Sequence, residues 1–270
     1  MARPEITLIT PSLNYGRFLG ECLASSTPES QPGVAIEHFV FDAGSSDDSA
    51  AIAAGFQHVE WMSEPDEGMS HAINKGFDRA RGDWVMWLNA DDRLRPGALA
   101  PFLARAVQSK ADIVYGDFAF VDADGGFLRR VRSPRWSPFV HIHHQCLVPS
   151  TATLLRRATL LEAGHRLRQD FHYVMDGEFF ARMHSLGHRF QHVRQVIADF
   201  RLHGDNASQR HLSRTRDLDT ALKAERQHIE SRAIRRAYGF TPFEDPYLNG
   251  LSDGLLWLAA KAWRQVRKWV

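Results

Sequence analysis

An asparagine and two aspartates follow an apolar run and could do chemistry together. Residues 84–88 are continuously apolar, which predicts a strand buried on both faces of a mostly parallel sheet. The run stops at Asn89, Asp91 and Asp92, and ligands bind at the carboxyl ends of such strands. Two adjacent carboxylates repel each other, so a divalent cation shared with a diphosphate would stabilise them. A solvated turn with Asp92 as a helix cap explains this segment alone equally well.

The elements that must position these side chains alternate along the first hundred residues. Buried strands are predicted at four apolar runs, residues 6–10, 37–41, 59–62 and 84–88. Helices are predicted between and after these strands, at residues 15–26, 50–55, 69–81 and 98–109. Such alternation is typical of a parallel, doubly wound sheet with right-handed crossovers.

The second half of the chain predicts further strands that make the sheet mixed. They are expected at residues 112–117, 118–121 and 195–202, with a hairpin turn at 122–126. Residues 158–187 are rich in helical patterns, and residues 213–238 are expected to form a long charged helix. The sequence therefore predicts an α/β fold: a doubly wound, mostly parallel but mixed sheet, flanked by helices, with a C-terminal helical extension.

The composition bears on partners and on cellular compartment. The 33 basic and 32 acidic side chains leave a net charge of +1, so no global field favours nucleic acid. Cys22 and Cys146 lie far apart and form neither a CxxC pair nor a disulfide framework, which fits a reducing compartment. Residues 1–10 predict neither a secretory signal nor a spanning helix. We expect a cytoplasmic protein that does not bind nucleic acid.

The last twenty residues have the pattern of an amphipathic helix. One helical face carries the apolar residues Leu251, Leu255, Leu258, Ala262, Val266 and Trp269. The opposing face carries the basic residues Lys261, Arg264 and Lys268. This pattern is typical of a helix that lies peripherally on the inner face of a membrane, although it is too short and too charged to span one. The alternative is a helix packed on the domain with its cations in water.

Several ordered motifs together resemble a known family. They are residues 6–14, 41–49, 63–77, 80–83 and 89–92. The chain resembles the family 2 glycosyltransferases of the GT-A fold from about residue 5 to residue 210, more loosely after residue 92. The resemblance implies a nucleotide-sugar-binding half at residues 1–110 and an acceptor-binding half at residues 111–212. Residues 213–270 lie beyond it, and their pattern predicts a helical extension.

The resemblance also implies the reaction and its partners. The family moves a sugar from a nucleotide diphosphate to an acceptor hydroxyl with inversion. The implied donor is a UDP-sugar, and the implied acceptor is a saccharide or lipid-linked saccharide in polysaccharide or glycolipid assembly. The donor-binding residues that it implies are Pro11, Asn14, Asp42, Asp66, Gly68, Asn74, Lys75, Asn89, Ala90 and Asp91. Asp42 would read the base, although a helix-capping role is the alternative.

The resemblance implies Mn²⁺ or Mg²⁺ bound by Asp91, Asp92 and His203. For His203, contact with the diphosphate and an ordinary surface histidine are the alternatives. Such an ion would act as a Lewis acid on the leaving diphosphate. The sequence departs from the family at Asn89, where many relatives carry an aspartate. An amide oxygen ligates metal weakly, so either Asp91 or Asp92 remains open as the metal ligand, with Asp91 slightly favoured.

Inversion requires a base that takes the proton from the acceptor hydroxyl. Asp176 matches the family's catalytic aspartate, and Glu178 is the alternative base. An N-cap role for Asp176 is the structural alternative. His141 and His143 could face one side of an extended segment, but no cysteine or carboxylate completes a zinc pattern nearby. The adjacent pair at 144–145 is better suited to line the acceptor pocket.

Two other functions remain open. A nucleotide-sugar-binding or scaffold protein without transfer activity is suggested only by Asn89. Nucleotidyl transfer would need a glycine-rich basic loop after the first strand, which residues 11–16 lack. The arginine-rich segment 129–135 is too short to predict nucleic-acid binding and could flank an anionic acceptor.

Overall fold

The computed structural model describes residues 3–143, 146, 148–204 and 218–238. Its strands are β1 (Ile6–Ser12), β2 (Ile36–Asp42), β3 (Val59–Ser63), β4 (Trp84–Trp87), β5 (Arg93–Leu94), β6 (Ile113–Val121), β7 (Phe127–Val131), β8 (Thr153–Arg156) and β9 (Phe190–Arg201). Its helices are α1 (Gly16–Ala24), α2 (Ser49–Ala53), α3 (Met69–Arg79), α4 (Leu99–Gln108), α5 (Pro138–His143), α6 (Arg157–Leu160), α7 (Met175–Ser185) and α8 (Leu218–Tyr238).

All nine strands join one sheet, in the order β3-β2-β1-β4-β8-β6-β9-β5, with β7 paired to β6. The first four strands in this order run parallel to one another. β8 runs antiparallel to both β4 and β6, whereas β6 and β9 are parallel. The strand order reverses at β1, whose neighbours β2 and β4 lie on opposite sides. This reversal is the topological switch point at which open α/β sheets bind ligands.

Both faces of the sheet are buried at β1 and β4, the central parallel strands of the first half. On β1, Leu8 belongs to one core cluster together with Phe102 of α4. Its neighbour Ile9 belongs to a second cluster, together with Phe77 of α3 and Phe179 of α7. Because successive side chains of a strand point to opposite faces, a strand with helices on both sides is rich in apolar residues at successive positions rather than at alternate ones.

The structure corrects several details of the sequence reading. Residues 113–121 form a single strand with register shifts rather than two strands, and β8 was not predicted. His141 lies in helix α5 rather than in an extended segment. The helix predicted at 213–238 is present as α8 from Leu218. The residues at 144–145 and the amphipathic pattern at 251–269 lie outside the described residues.

Helix α8 is the described part of the predicted C-terminal extension, and it packs into the core. Its Ile234 is buried in the same cluster as Phe179 and Phe180 of α7. Within the described residues, no helix is both long and apolar enough to cross a membrane.

Candidate functional site

The carboxyl ends of β1, β2 and β4 lie side by side at one edge of the sheet. Ser12, the last residue of β1, is in register with Asp42, the last residue of β2. The amide of Leu88 donates a hydrogen bond to the carbonyl of Ile9 (2.9 Å), which continues the β1–β4 pairing to the end of the apolar run. The loops that follow these strands therefore meet, and they bring the predicted residues Asn14, Asp42 and 89–92 to one place.

Asp42 organises the loop that follows β2. Its Oδ2 accepts hydrogen bonds from the amides of Gly44 (3.1 Å) and Ser45 (2.9 Å) and from the hydroxyl of Ser63 (2.7 Å). Asn14 connects this loop to the end of β1. Its Oδ1 accepts from the amide of Ser46 (2.9 Å), and it adopts a φ of 56°. Asparagine tolerates this left-handed conformation better than most residues. A base-reading role for Asp42 stays a prediction.

The segment before α3 carries two of the predicted donor-binding residues, and α3 itself carries a third, Lys75. Asp66 Oδ1 accepts from the amide of Gly68 (2.7 Å), and Gly68 has a φ of 112°, which only glycine adopts readily. Lys75 Nζ lies 3.0 Å from Oε1 of Glu64 and donates to the carbonyl of Pro65 (3.2 Å). The lysine is therefore paired rather than a solvated cation.

Asn74 uses its whole amide group within the protein. Its Nδ2 donates to the carbonyl of Leu167 (2.8 Å), and its Oδ1 accepts from the amide of Leu167 (2.9 Å). The side chain is buried. These two bonds tie α3 to the segment that leads to α7. Contact between Asn74 and the nucleotide-sugar donor stays a prediction. The structure adds a second role for Asn74, which is to connect these two segments.

The two adjacent aspartates have different surroundings. Asp91 Oδ2 lies 3.0 Å from Nε2 of His203. Asp92 is 1% exposed, and its Oδ1 accepts from the backbone amide of Arg201 (3.0 Å). Burial raises the pKa of Asp92 well above its ordinary value, and the negative charge of Asp91 adds to the increase. Both carboxylates are buried, but Asp91 contacts the imidazole of His203 whereas Asp92 accepts from a backbone amide, so the two side chains have different surroundings.

Buried oxygen atoms without a hydrogen-bond partner occur at the same edge. Among the described residues, both Asn89 Oδ1 and Ser12 Oγ are buried without a partner. Ser12 ends β1, and Asn89 follows β4, its parallel neighbour. An unpaired buried oxygen is costly unless a ligand or water supplies the missing bond. The two atoms are thus consistent with a polar ligand at the switch point.

The donor set at Asp91 and His203 fits a divalent cation that shares its coordination with substrate. Within the described part of the chain, no group of three or more His, Cys, Asp or Glu side chains could hold an ion by itself. One carboxylate and one imidazole suit Mn²⁺ in particular, because Mg²⁺ favours oxygen ligands. The remaining positions would be filled by diphosphate oxygens and water.

His203 is held in place by aromatic rings of the α1 region. Its ring centroid lies 4.6 Å from that of Phe18 and 6.2 Å from that of Tyr15, the latter in an edge-on arrangement. The side chain of His203 is 3% exposed. Packing of this kind fixes the orientation of the imidazole toward Asp91 before any ligand binds.

Arg201 is a site residue that the sequence reading did not single out. Its guanidinium is buried and donates to the carbonyls of Asp91 (2.9 Å) and Ala123 (3.0 Å) and to Glu21 Oε2 (2.7 Å). Arg201 thus fixes both the backbone of Asp91 and, through its own amide, the carboxylate of Asp92. The sequence offered one indication that Arg201 belongs to the site: it is an arginine near the end of a predicted strand, two residues before His203.

The two predicted bases differ in accessibility. Asp176 lies in the first turn of α7, one residue inside the helix rather than at its N-cap. It is half-buried, and burial raises its pKa, which the amide of Gly177 (2.7 Å) partly offsets. Glu178 is fully buried and accepts from Arg182 Nε (2.8 Å) and from the hydroxyl of Tyr238 (2.7 Å). These bonds give Glu178 a structural role between α7 and α8.

Glu230 of α8 supports the segment that precedes Asp176. Its carboxylate accepts from three consecutive backbone amides, those of His172 (3.1 Å), Tyr173 (2.9 Å) and Val174 (3.3 Å). Glu230 is 6% exposed. Glu230 was not predicted as a site residue because it lies more than fifty positions along the chain from Asp176, on a helix with charged residues throughout.

The architecture and the edge site define the class of α/β domains whose ligand site lies at the carboxyl edge of a doubly wound sheet. The sequence profile of the family described as glycosyl transferase family 2 matches residues 7–161. The chain belongs to glycosyltransferase family 2. The predicted family is thereby confirmed.

Two curated relatives differ in how much of them the chain covers. The O-antigen biosynthesis protein RfbC of Myxococcus xanthus is 31% identical over 235 residues, which are 82% of this chain and 17% of RfbC. A PGL/p-HBAD biosynthesis glycosyltransferase of Mycobacterium tuberculosis is 32% identical over 124 residues, which are 43% of this chain and 48% of the relative. The chain therefore spans a minor part of RfbC and about half of the mycobacterial protein.

Solved structures confirm the predicted fold class. TarS of S. aureus superposes with a TM-score of 0.60 at 16% identity, over 88% of this chain and 44% of TarS. The mannosyltransferase PcManGT of Pyrobaculum calidifontis gives a TM-score of 0.59 at 16% identity, over 100% of this chain and 84% of PcManGT. At such identities the similarity concerns the fold alone.

Proposed function

We propose that the protein is a metal-dependent, inverting glycosyltransferase. It moves a sugar from a nucleotide diphosphate, a UDP-sugar, to a hydroxyl of a saccharide or lipid-linked saccharide in polysaccharide or glycolipid assembly. The observation that carries this proposal is the pairing of Asp91 with His203 (3.0 Å) beside the unpaired buried oxygen of Asn89. A carboxylate, an imidazole and an amide oxygen at a switch point suit a cation and a nucleotide diphosphate.

In this proposal residues 1–110 bind the donor. The residues around the nucleotide are Pro11, Asn14, Asp42, Asp66, Gly68, Asn74, Lys75, Asn89, Ala90 and Asp91, with Asp42 reading the base. Structures of two neighbours of the same fold support this class of donor. TarS has been solved in complex with UDP-GlcNAc, and PcManGT in complex with GDP-Man and Mn²⁺.

Asp91 and His203 would hold Mn²⁺ or Mg²⁺. The bound ion supplies a positive charge that offsets the charge developing on the leaving diphosphate. Asp92, which was the alternative ligand, instead fixes the loop by accepting from the amide of Arg201. Arg201 in turn holds the carbonyl of Asp91, so the carboxylate of Asp91 is presented in one orientation.

Asp176 serves as the base, and residues 111–212 bind the acceptor. The acceptor oxygen attacks the anomeric carbon, the bond from that carbon to the diphosphate oxygen breaks, and the acceptor proton passes to Asp176. Asp176 is half-buried in the first turn of α7, which makes it the better candidate for contact with an acceptor. Glu178 is less suited because its carboxylate is buried and already bonded to Arg182 and Tyr238.

The first test is calorimetric titration of UDP, with GDP and dTDP in parallel, in the presence and absence of Mn²⁺. We expect UDP to bind more tightly than GDP and dTDP, and only with metal. Preference for GDP would overturn the UDP assignment, and absence of binding by every nucleotide would overturn the proposed function.

The second test separates transfer from binding. Asp176→Asn should keep UDP affinity within about twofold and lower the transfer or donor-hydrolysis rate by about a thousandfold, because the base is lost. Asp170→Asn, at an exposed position nearby, is the matched control and should leave the rate unchanged. Full activity of Asp176→Asn would show that another group is the base. Absence of transfer and hydrolysis by the native protein would favour a nucleotide-sugar-binding role instead.

A further inference from the structure

Strand β7 exposes two large apolar side chains to water. Several arginines follow them, on the strand and just after it. Phe127 and Leu128 are 64% and 50% exposed. Arg129, Arg132 and Arg135 follow them and are exposed as well. We call these five residues the β7 patch. Among the described residues β7 pairs only with β6, so its other edge is open.

A bulge explains why neighbouring apolar residues are both exposed. In the β6–β7 register, Phe120 is opposite Arg129 and Val121 is opposite Phe127, which leaves Leu128 without an opposing residue. A bulge adds such an unpaired residue and re-aims the side chains around it. The apolar pair therefore does not alternate between a covered and an open face, as it would in a regular strand.

The surroundings of the β7 patch are strongly basic. Residues 125–136 contain four arginines and no acidic residue. Asp117, the acid beneath β7, is fully buried and is paired with Arg130 (2.7 Å) and His192 (2.8 Å). Asp122 Oδ1 is engaged by the amides of the turn, and exposed Asp124 lies 3.8 Å from Arg17. Asp199 of β9 is paired with both Arg93 and Arg95. The guanidinium of Arg95 also lies over the Phe127 ring.

We propose that the β7 patch docks the protein onto an anionic lipid surface. Phe127 and Leu128 would enter the interfacial region, while the arginines would contact lipid headgroups. An anionic saccharide would satisfy the arginines but would leave both apolar side chains in water. A second copy paired edge to edge would bring like charges of β7 together, which is unfavourable.

Hydrogen bonds connect the turn next to the β7 patch to the proposed donor site. Two arginines hold the turn before β7. Arg201 Nη1 donates a hydrogen bond to the carbonyl of Ala123 (3.0 Å), and Arg93 Nη2 donates one to the carbonyl of Gly125 (2.8 Å). Arg201 also holds Asp91 and Asp92. Docking would therefore hold the site beside membrane-borne acceptors, but docking itself does not depend on the proposed transfer activity.

The experiment is vesicle co-sedimentation of the full chain with phosphatidylcholine vesicles, with and without phosphatidylglycerol. We expect binding only with phosphatidylglycerol, and weakening by salt. Phe127→Ser with Leu128→Ser, and separately Arg129→Gln with Arg135→Gln, should each lower the partition coefficient by about tenfold or more. Val107→Ser with Leu186→Ser, at 63% and 55% exposed positions elsewhere, and Arg105→Gln with Arg194→Gln are the matched controls. They should change it less than about twofold.

Further readouts keep the result unambiguous. A cooperative thermal unfolding transition in each variant shows that it is folded, and if the serine variant does not fold, the arginine variant decides. Hydrogen exchange should slow at residues 126–131 when anionic vesicles are added. Unchanged partitioning of the folded variants would overturn the proposal. So would loss of dextran sulfate binding without loss of vesicle binding, or conversion of a dimer to a monomer by the serine variant. Failure of UDP binding with intact docking would count against the proposed function only.

Discussion

At the scale of residues, the surroundings of Asp91 and Asp92 give two identical side chains different properties. The carboxylate of Asp91 contacts the imidazole of His203. Asp92 is buried, and its carboxylate accepts a hydrogen bond from the backbone amide of Arg201. Burial favours the neutral form of Asp92, as its raised pKa indicates. Only a charged carboxylate attracts a divalent cation strongly. Asp91 is therefore the better metal ligand, and Asp92 the better loop support.

This difference predicts unequal effects of the same substitution. Asp91→Asn should weaken UDP binding in the presence of Mn²⁺ by about tenfold or more, because it removes the charged ligand. Asp92→Asn should change it by less than about threefold, since an amide oxygen can still accept from the Arg201 amide. Calorimetric titration measures both, and equal losses would contradict the division of roles. Without Mn²⁺, neither the native protein nor Asp91→Asn should bind UDP.

The pKa of Asp176 predicts a pH dependence of the rate. Burial raises this pKa, and the Gly177 amide offsets part of the increase. A base must be ionised, so the rate at saturating donor should rise with pH and should fall away as the pH decreases through the raised pKa. The measurement is kcat against pH. A rate that stays constant down to the ordinary aspartate pKa of about 3.9 would argue against Asp176 as the base.

At the scale of elements, helix α8 completes the site from outside the sheet. Ile234 packs with α7, and Tyr238 donates to Glu178 (2.7 Å). Glu230 collects three backbone amides just ahead of α7. The helix thereby sets the position at which α7 begins, and with it the position of Asp176.

We expect Glu230→Gln to shift this element without touching the donor. An amide accepts on one oxygen only and turns an NH₂ group toward backbone amides, so the free energy of unfolding should fall by about 1–3 kcal/mol. The kcat should decrease while UDP affinity is unchanged. Glu225→Gln, an exposed position on the same helix, is the control. Urea denaturation and steady-state kinetics provide the readouts, and an unaffected kcat would remove α8 from the site.

At the scale of the whole molecule, one sheet unites the two proposed halves. β8 pairs with β4 from the first half and with β6 from the second, so the boundary at residue 110 crosses a continuous core. Buried polar groups within this core respond to pH. His38 is 1% exposed and bonds the hydroxyls of Thr10 (2.9 Å) and Ser26 (2.8 Å).

His38 predicts loss of stability in acid. Burial, followed by the charge of His58, lowers the pKa of His38 to about 3. Because the folded-state pKa is below the unfolded value of about 6.5, the neutral ring stabilises the fold above pH 6.5. That contribution is lost as the pH falls toward 3, with a slope approaching about 1.4 kcal/mol per pH unit. Urea denaturation across this range should show a smaller slope for His38→Asn, and an unchanged slope would refute the assignment.

The family and the first four strands could be predicted from the sequence because their signals are local. An apolar run followed by polar residues marks β1, β2 and β4 within ten residues each, and parallel pairing then brings their ends together. The same local signals placed Asp91 and Asp92 among the candidates, and the resemblance to the family added Asp176. They did not reveal β8, whose four residues lack a distinctive pattern.

Only the tertiary structure decided which candidates lie where a ligand could reach them. His203 approaches Asp91 across 112 positions of the chain, and Arg201 reaches the carbonyl of Asp91 across 110. Glu230 holds the segment before Asp176 from 56 to 58 positions away. No local pattern encodes such partners. They are selected by the packing of helices and strands, and the resulting burial and hydrogen bonds determine which carboxylate stays charged and accessible.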